Sequence, residues 1–121
     1  MESASLAETK VVPQSGSIRN SDDQVYDDGV LRVEHANYYV ACRGESLKLP
    51  RTEFLIMSRL ARSAGRIVTA EDLWSSAWGK EKPFNPESLH VHIYRLRNKL
   101  MPYNVTIDTM VNVGYKLMAS G

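Results

Sequence analysis

Two histidines, two arginines and a lysine fall within ten residues of this chain, at positions 90, 92, 95, 97 and 99. His90 and His92 invite metal ligation. On a helix, however, residues two apart point about 200° from each other, so one ion cannot take both. Cys42 is the single cysteine, which excludes an internal disulfide and any cysteine-held zinc. His35 falls in a turn region. No glycine-rich phosphate loop and no Ser/His/Asp arrangement is present, and the paired acids Asp22-Asp23 and Asp27-Asp28 belong to a tail and a turn. Trp74 and Trp78 read as core and rim packing. These residues predict no enzyme, metal site, cofactor or small-molecule substrate. The chemistry left to the basic cluster is recognition, because arginine and asparagine suit base edges and flanking cations suit phosphates.

The element that must carry the cluster is a helix. Asn85 offers a cap, Pro86 follows where its missing N–H costs nothing, and Pro102 stops the helix after about Met101. Leu89, Ile93, Leu96 and Leu100 lie within about 60° of one another at 100° per residue, a narrow core stripe. The opposite side presents Glu87, Val91, Tyr94, Arg95 and Asn98, predicted to face base edges. Ser88, His92 and Lys99 form one shoulder; His90 and Arg97 form the other. A cationic helix with one apolar stripe also describes a plain solvated surface helix. Its place after a short helix and loop, and before a β-rich pair of segments, favours a recognition helix.

Order begins near Gln24. Val25-Tyr26, a turn at Asp27-Asp28-Gly29, and Val30 to Val33 predict a hairpin, because glycine takes positive φ readily. Tyr38 to Cys42 and Leu47 to Leu49, joined through Arg43-Gly44-Glu45, extend it into a small antiparallel sheet. Phe54, Met57, Leu60, Ala61 and Ala64 recur at intervals of three and four, predicting a helix from Thr52 to Ala64 stopped by Gly65. Thr69 caps the next helix, whose buried side holds Leu73, Trp74 and Ala77. Gly79 to Phe84 is a loop, and Val105 to Met110 with Tyr115 to Met118 form a closing hairpin around Asn112 and Gly114.

The net charge of +1 hides an uneven distribution. Residues 1–29 carry a net −4 and residues 30–121 a net +5, which suits an anionic partner for the body of the chain. Residues 1–23, rich in Ser, Ala, Thr, Gln and Asp, read as a flexible tail or linker, and residues 24–121 as one domain. No apolar run approaches the ~18 residues of a membrane span. The acidic N-terminus lacks a signal-peptide pattern, so a cytoplasmic setting without membrane contact is expected.

Thr52-Glu53-Phe54, the Leu73 to Gly79 segment, the run from Val91 to Leu100 and Val113-Gly114-Tyr115-Lys116-Leu117 together resemble the C-terminal effector domain of OmpR/PhoB-type response regulators. The resemblance covers about residues 24–118. It implies an α+β winged helix-turn-helix with an N-terminal antiparallel four-stranded sheet, three helices and a C-terminal hairpin wing. It also implies sequence-specific double-stranded DNA binding for transcription regulation. The third helix would enter the major groove, with the wing tip, Val111 and Asn112, beside the minor groove. Backbone contacts would come from Trp78, Ser88, His90, His92, Arg97, Lys99, Thr109, Tyr115 and Lys116. The loop bearing Lys80, Glu81, Lys82 and Phe84 would be the one able to touch RNA polymerase. The family binds as head-to-tail pairs on DNA, and a monomer is expected in solution.

Three departures stand out. Only a short tail precedes the domain where the family carries a receiver, so an excised effector or a regulator working without phosphorylation is expected. His90 replaces a frequent acid, which makes the region more positive. Val111-Asn112 stands where an arginine followed by glycine is common, so arginine insertion at the wing is lost. The competing expectation is a winged helix turned protein-interaction module, contacting RNA polymerase or another regulator, which the arginine-free wing and near-neutral charge would suit.

Overall fold

The computed structural model describes residues 24–119; the tail expectation for residues 1–23 lies outside the described residues. Four short strands come first: β1 (Val25–Asp27), β2 (Leu31–Glu34), β3 (Tyr39–Cys42) and β4 (Glu45–Leu47). They form an antiparallel sheet in the order β1-β2-β3-β4. The first turn closes on aspartate side chains: Gly29 N donates to Asp27 Oδ1 at 2.9 Å, and Val30 N and Leu31 N donate to Asp28 Oδ1 at 2.9 and 2.8 Å. Gly29 takes φ 91°, as the turn requires.

Three helices follow: α1 (Arg51–Arg62), α2 (Ala70–Trp78) and α3 (Pro86–Leu100). Both predicted caps form. Thr69 Oγ1 accepts from Asp72 N at 3.1 Å, and Asn85 Oδ1 accepts from Glu87 N and Ser88 N at 3.0 and 3.2 Å. Helix α1 ends two residues before Ala64, and Gly65 takes φ 80° with its N–H bonded to Leu117 O at 3.1 Å.

The chain closes with β6 (Val105–Met110) and β7 (Gly114–Ala119), the predicted hairpin. A third strand, β5 (Ile67–Thr69), is absent from the sequence reading and pairs with β7, giving the order β5-β7-β6. The close fit there explains Gly114: a Cβ at this position would lie 2.0 Å from Val68 O and 2.7 Å from Thr69 Cα. Only glycine lets the two backbones approach so closely.

One core joins both sheets and all three helices. Leu31, Val33 and Val40 from the first sheet meet Ile56, Met57 and Leu60 of α1, Leu73 of α2 and the α3 stripe, with Ile107 and Leu117 from the second sheet. Leu89, Ile93, Leu96 and Leu100 are all buried, as their spacing predicts. Each side chain so buried contributes about 1.5–3 kcal/mol relative to exposure. Cys42 is fully buried, and desolvation pushes its thiol up to about 11, so it stays protonated and unreactive. The architecture is the winged helix-turn-helix that the sequence leads one to expect.

Candidate nucleic-acid interface

Burying the leucine stripe turns one face of α3 outward. Val91 and Tyr94 are 45% and 65% exposed on that face, and Glu87, Arg95 and Asn98 are exposed beside them. Among the described residues Arg95 makes no hydrogen bond or ion pair, and neither Glu87 nor Asp108 pairs with it. Its guanidinium is therefore available to an external partner.

The wing stands next to this face. Met110 lies opposite Gly114, and Val113 N donates to Met110 O at 2.9 Å across the turn. Asn112 occupies the apex with φ 64°, a conformation asparagine tolerates better than most residues. Val111 and Val113 flank it, 77% and 50% exposed, so the tip is uncharged, an amide between two valines.

Between α3 and the wing runs a cleft of about 280 Å³ lined by His90, Ile93, Arg97, Thr109 and Tyr115. Arg97 spans it: Nε and Nη2 donate to Ile107 O at 2.8 and 2.6 Å, and Nη2 also donates to Thr109 Oγ1 at 2.6 Å. The guanidinium carbon sits 6.0 Å from the Tyr115 ring centre, and His90 meets the same ring edge-on at 6.4 Å. Tyr115 is buried at the cleft floor, and that desolvation raises its phenol pKa. A cleft lined by an imidazole, a guanidinium, a hydroxyl and a phenol matches the groups that bind phosphate oxygens.

On the other shoulder, aromatic packing dominates. Trp74 and Trp78 stack at 4.1 Å, and Phe84 meets Trp74 edge-on at 5.8 Å. Trp74 Nε1 donates to Lys82 O at 2.9 Å, which ties the loop 79–85 to α2. His92 lies edge-on to Trp78 at 5.0 Å, and its Nδ1 lies 2.7 Å from Ser88 O. Lys80, Glu81, Lys82 and Phe84 are exposed on that loop.

Not every expected phosphate contact reaches this surface. Lys99 is drawn to the opposite side of α3, where Nζ pairs with Glu53 Oε1 of α1 at 2.6 Å. Lys116 lies on the outer face of the second sheet, because its neighbours Tyr115 and Leu117 point into the core. Its opposite partners are Asp108 and Ile67. The geometry thus brings His90, Arg97, Thr109 and Tyr115 together and leaves Lys99 and Lys116 apart. The sequence reading missed Glu53 as a partner, although an acid set in the apolar face of α1 was the available signal.

Comparison with known proteins follows the same lines. The family model for the transcriptional regulatory protein C terminus matches residues 44–117. The chain is 34% identical over 120 residues to the sensory transduction protein RegX3 of Mycolicibacterium smegmatis, covering 93% of this chain and 52% of that protein. It therefore spans about half the length of the curated relatives it matches. The DNA-binding domain of CpxR from E. coli superposes with TM-score 0.68 at 26% identity, over 80% of this chain and 98% of that one. The Klebsiella pneumoniae RstA DNA-binding domain, solved in complex with the RstA box, gives 0.66 at 27% identity over 78% and 96%. Sequence, fold and the exposed helix–wing surface agree: the chain belongs to the C-terminal, DNA-binding effector domains of OmpR/PhoB-type transcriptional regulators, a recognition module and not an enzyme.

Proposed function

We propose that this chain regulates transcription by docking α3 in the major groove of a specific duplex site. Arg95 and Asn98 read base edges, with Val91, Tyr94 and Glu87 completing the surface. The cleft formed by His90, Arg97, Thr109 and Tyr115 holds one backbone strand, and Ser88, His92 and Trp78 form the opposite rim. Val111 and Asn112 lie along the minor groove through apolar and amide contact. The observation that carries this reading is the exposed Arg95 opposite the buried stripe, without a partner among the described residues. The similar RstA domain is described bound to its own DNA box.

Two finer assignments belong to the same proposal. Head-to-tail pairing on direct repeats would place two copies on one face of the duplex, and Lys80, Glu81, Lys82 and Phe84 offer an exposed loop to RNA polymerase. The uncharged wing tip, with its two exposed valines, supports a second reading, a winged helix that docks on protein. Titrating the chain with random duplex at low salt separates the two, because even non-specific DNA binding registers there. Binding that weakens steeply with salt supports the DNA reading, and no binding at low salt supports protein docking.

A further inference from the structure

Arg97 makes more bonds within the protein than a phosphate contact needs. A guanidinium has five N–H groups. Three are spent here: Nε and Nη2 on the Ile107 carbonyl, and Nη2 again on the Thr109 hydroxyl. The acceptors have a structural reason to be there. Strand β6 is the edge of its sheet, paired with β7 alone, so carbonyls on its outer side have no ladder partner. Arg97 supplies one from the recognition helix and sets its guanidinium carbon over the Tyr115 ring of the next strand, 6.0 Å from its centre.

The attachment sits at the root of the wing. Beyond Thr109 the hairpin projects through Met110 to Gly114, and on its far side Ala70 N donates to Val113 O at 3.2 Å. The hairpin is therefore held between the start of α2 and the last turn of α3. We infer that Arg97 is a positioning residue that locks the wing to the recognition helix. The base pairs beneath Val111 and Asn112 then depend on Arg97, although it touches none of them. This inference rests on the DNA-binding reading for its consequence, while the lock itself is a property of the free chain. Lysine cannot replace arginine here, because one ammonium lacks the planar fork that bridges carbonyl and hydroxyl.

Hydrogen exchange on the free chain and a double-mutant cycle on DNA test it together. Arg97→Lys keeps the charge, and Thr109→Val keeps Arg97 itself while removing one acceptor. In both variants, amides of residues 107–115 should exchange faster by about tenfold or more, with protection in α1 unchanged, since at least one charge-assisted bond is lost. On a cognate duplex, Val111→Ser should change binding in the parent chain and have little added effect in Arg97→Lys, whose salt dependence stays that of the parent. Unchanged wing exchange in both variants overturns the lock, as do additive effects of Arg97→Lys and Val111→Ser. A parent chain that binds no duplex fails the DNA reading alone, because the exchange comparison involves no DNA.

Discussion

Lys99 Nζ lies 2.6 Å from Glu53 Oε1, joining the recognition helix to α1 through a carboxylate whose side chain is 2% exposed. The lysine end is 37% exposed, so water screens half of the pair. The ion pair fixes how α3 sits on the core, and it removes Lys99 from the set of groups free to meet phosphate.

Truncating Lys99 should therefore act on stability and not on electrostatic attraction to DNA. Lys99→Ala leaves the Glu53 carboxylate buried without its partner and should cost about 1–3 kcal/mol, less than a fully buried pair because the ammonium is partly solvated. Urea unfolding measures that loss. The slope of log K against log salt for duplex binding should stay as in the parent. A slope flattened by about 1 would return Lys99 to the phosphate contacts.

The same fit that demands Gly114 gives a second prediction. Gly114→Ala drives a methyl into the Val68 carbonyl, 2.0 Å from where the Cβ would stand. The backbones of β5 and β7 must part, at a cost of roughly 1–3 kcal/mol or more. A lowered thermal midpoint, with loss of protection at residues 67–69 by hydrogen exchange, is the expected result. An unchanged midpoint would mean that β5 does not pack as closely as described.

His35 gives the pH dependence. It is buried, its Nδ1 lies 2.6 Å from Ser58 Oγ, and desolvation together with the charge of Arg62 lowers its pKa. The folded chain therefore resists protonation while the unfolded chain accepts it at the ordinary value of about 6.5. Stability from this group is intact above that value and falls as pH drops from there toward the lowered folded pKa. Urea midpoints at pH 7.5 and 5.5 should differ, and the difference should shrink in His35→Gln. An equal difference in that variant would assign the effect to other groups.

How much of this was legible in the sequence follows from what each feature depends on. The recognition helix was readable because its determinants are local: Asn85 and Pro86 at one end, Pro102 past the other, and four leucine and isoleucine positions on one stripe. Strand β5 was not, since three residues carry too little alternation to register against a helix cap at Thr69. Lys116 was readable in principle. Once Tyr115 and Leu117 are taken as core, alternation sends it outward. The partners of Lys99 and Arg97 lie 46 and 10–12 residues away. One is a carboxylate on another helix and another is a backbone carbonyl, which has no sequence signature at all. Composition showed the charges, and only the packing shows which of them are already spent.

The central claim is that Arg95 reads a base, and comparing its substitution on cognate and random duplex tests it most directly. Arginine projecting into the major groove donates two hydrogen bonds to guanine O6 and N7. Arg95→Ala should cost about 1–3 kcal/mol on the cognate site and far less on random DNA at one salt concentration. Arg95→Lys should also lose discrimination while keeping the charge. Equal losses on cognate and random duplex would contradict the account and make Arg95 a backbone contact.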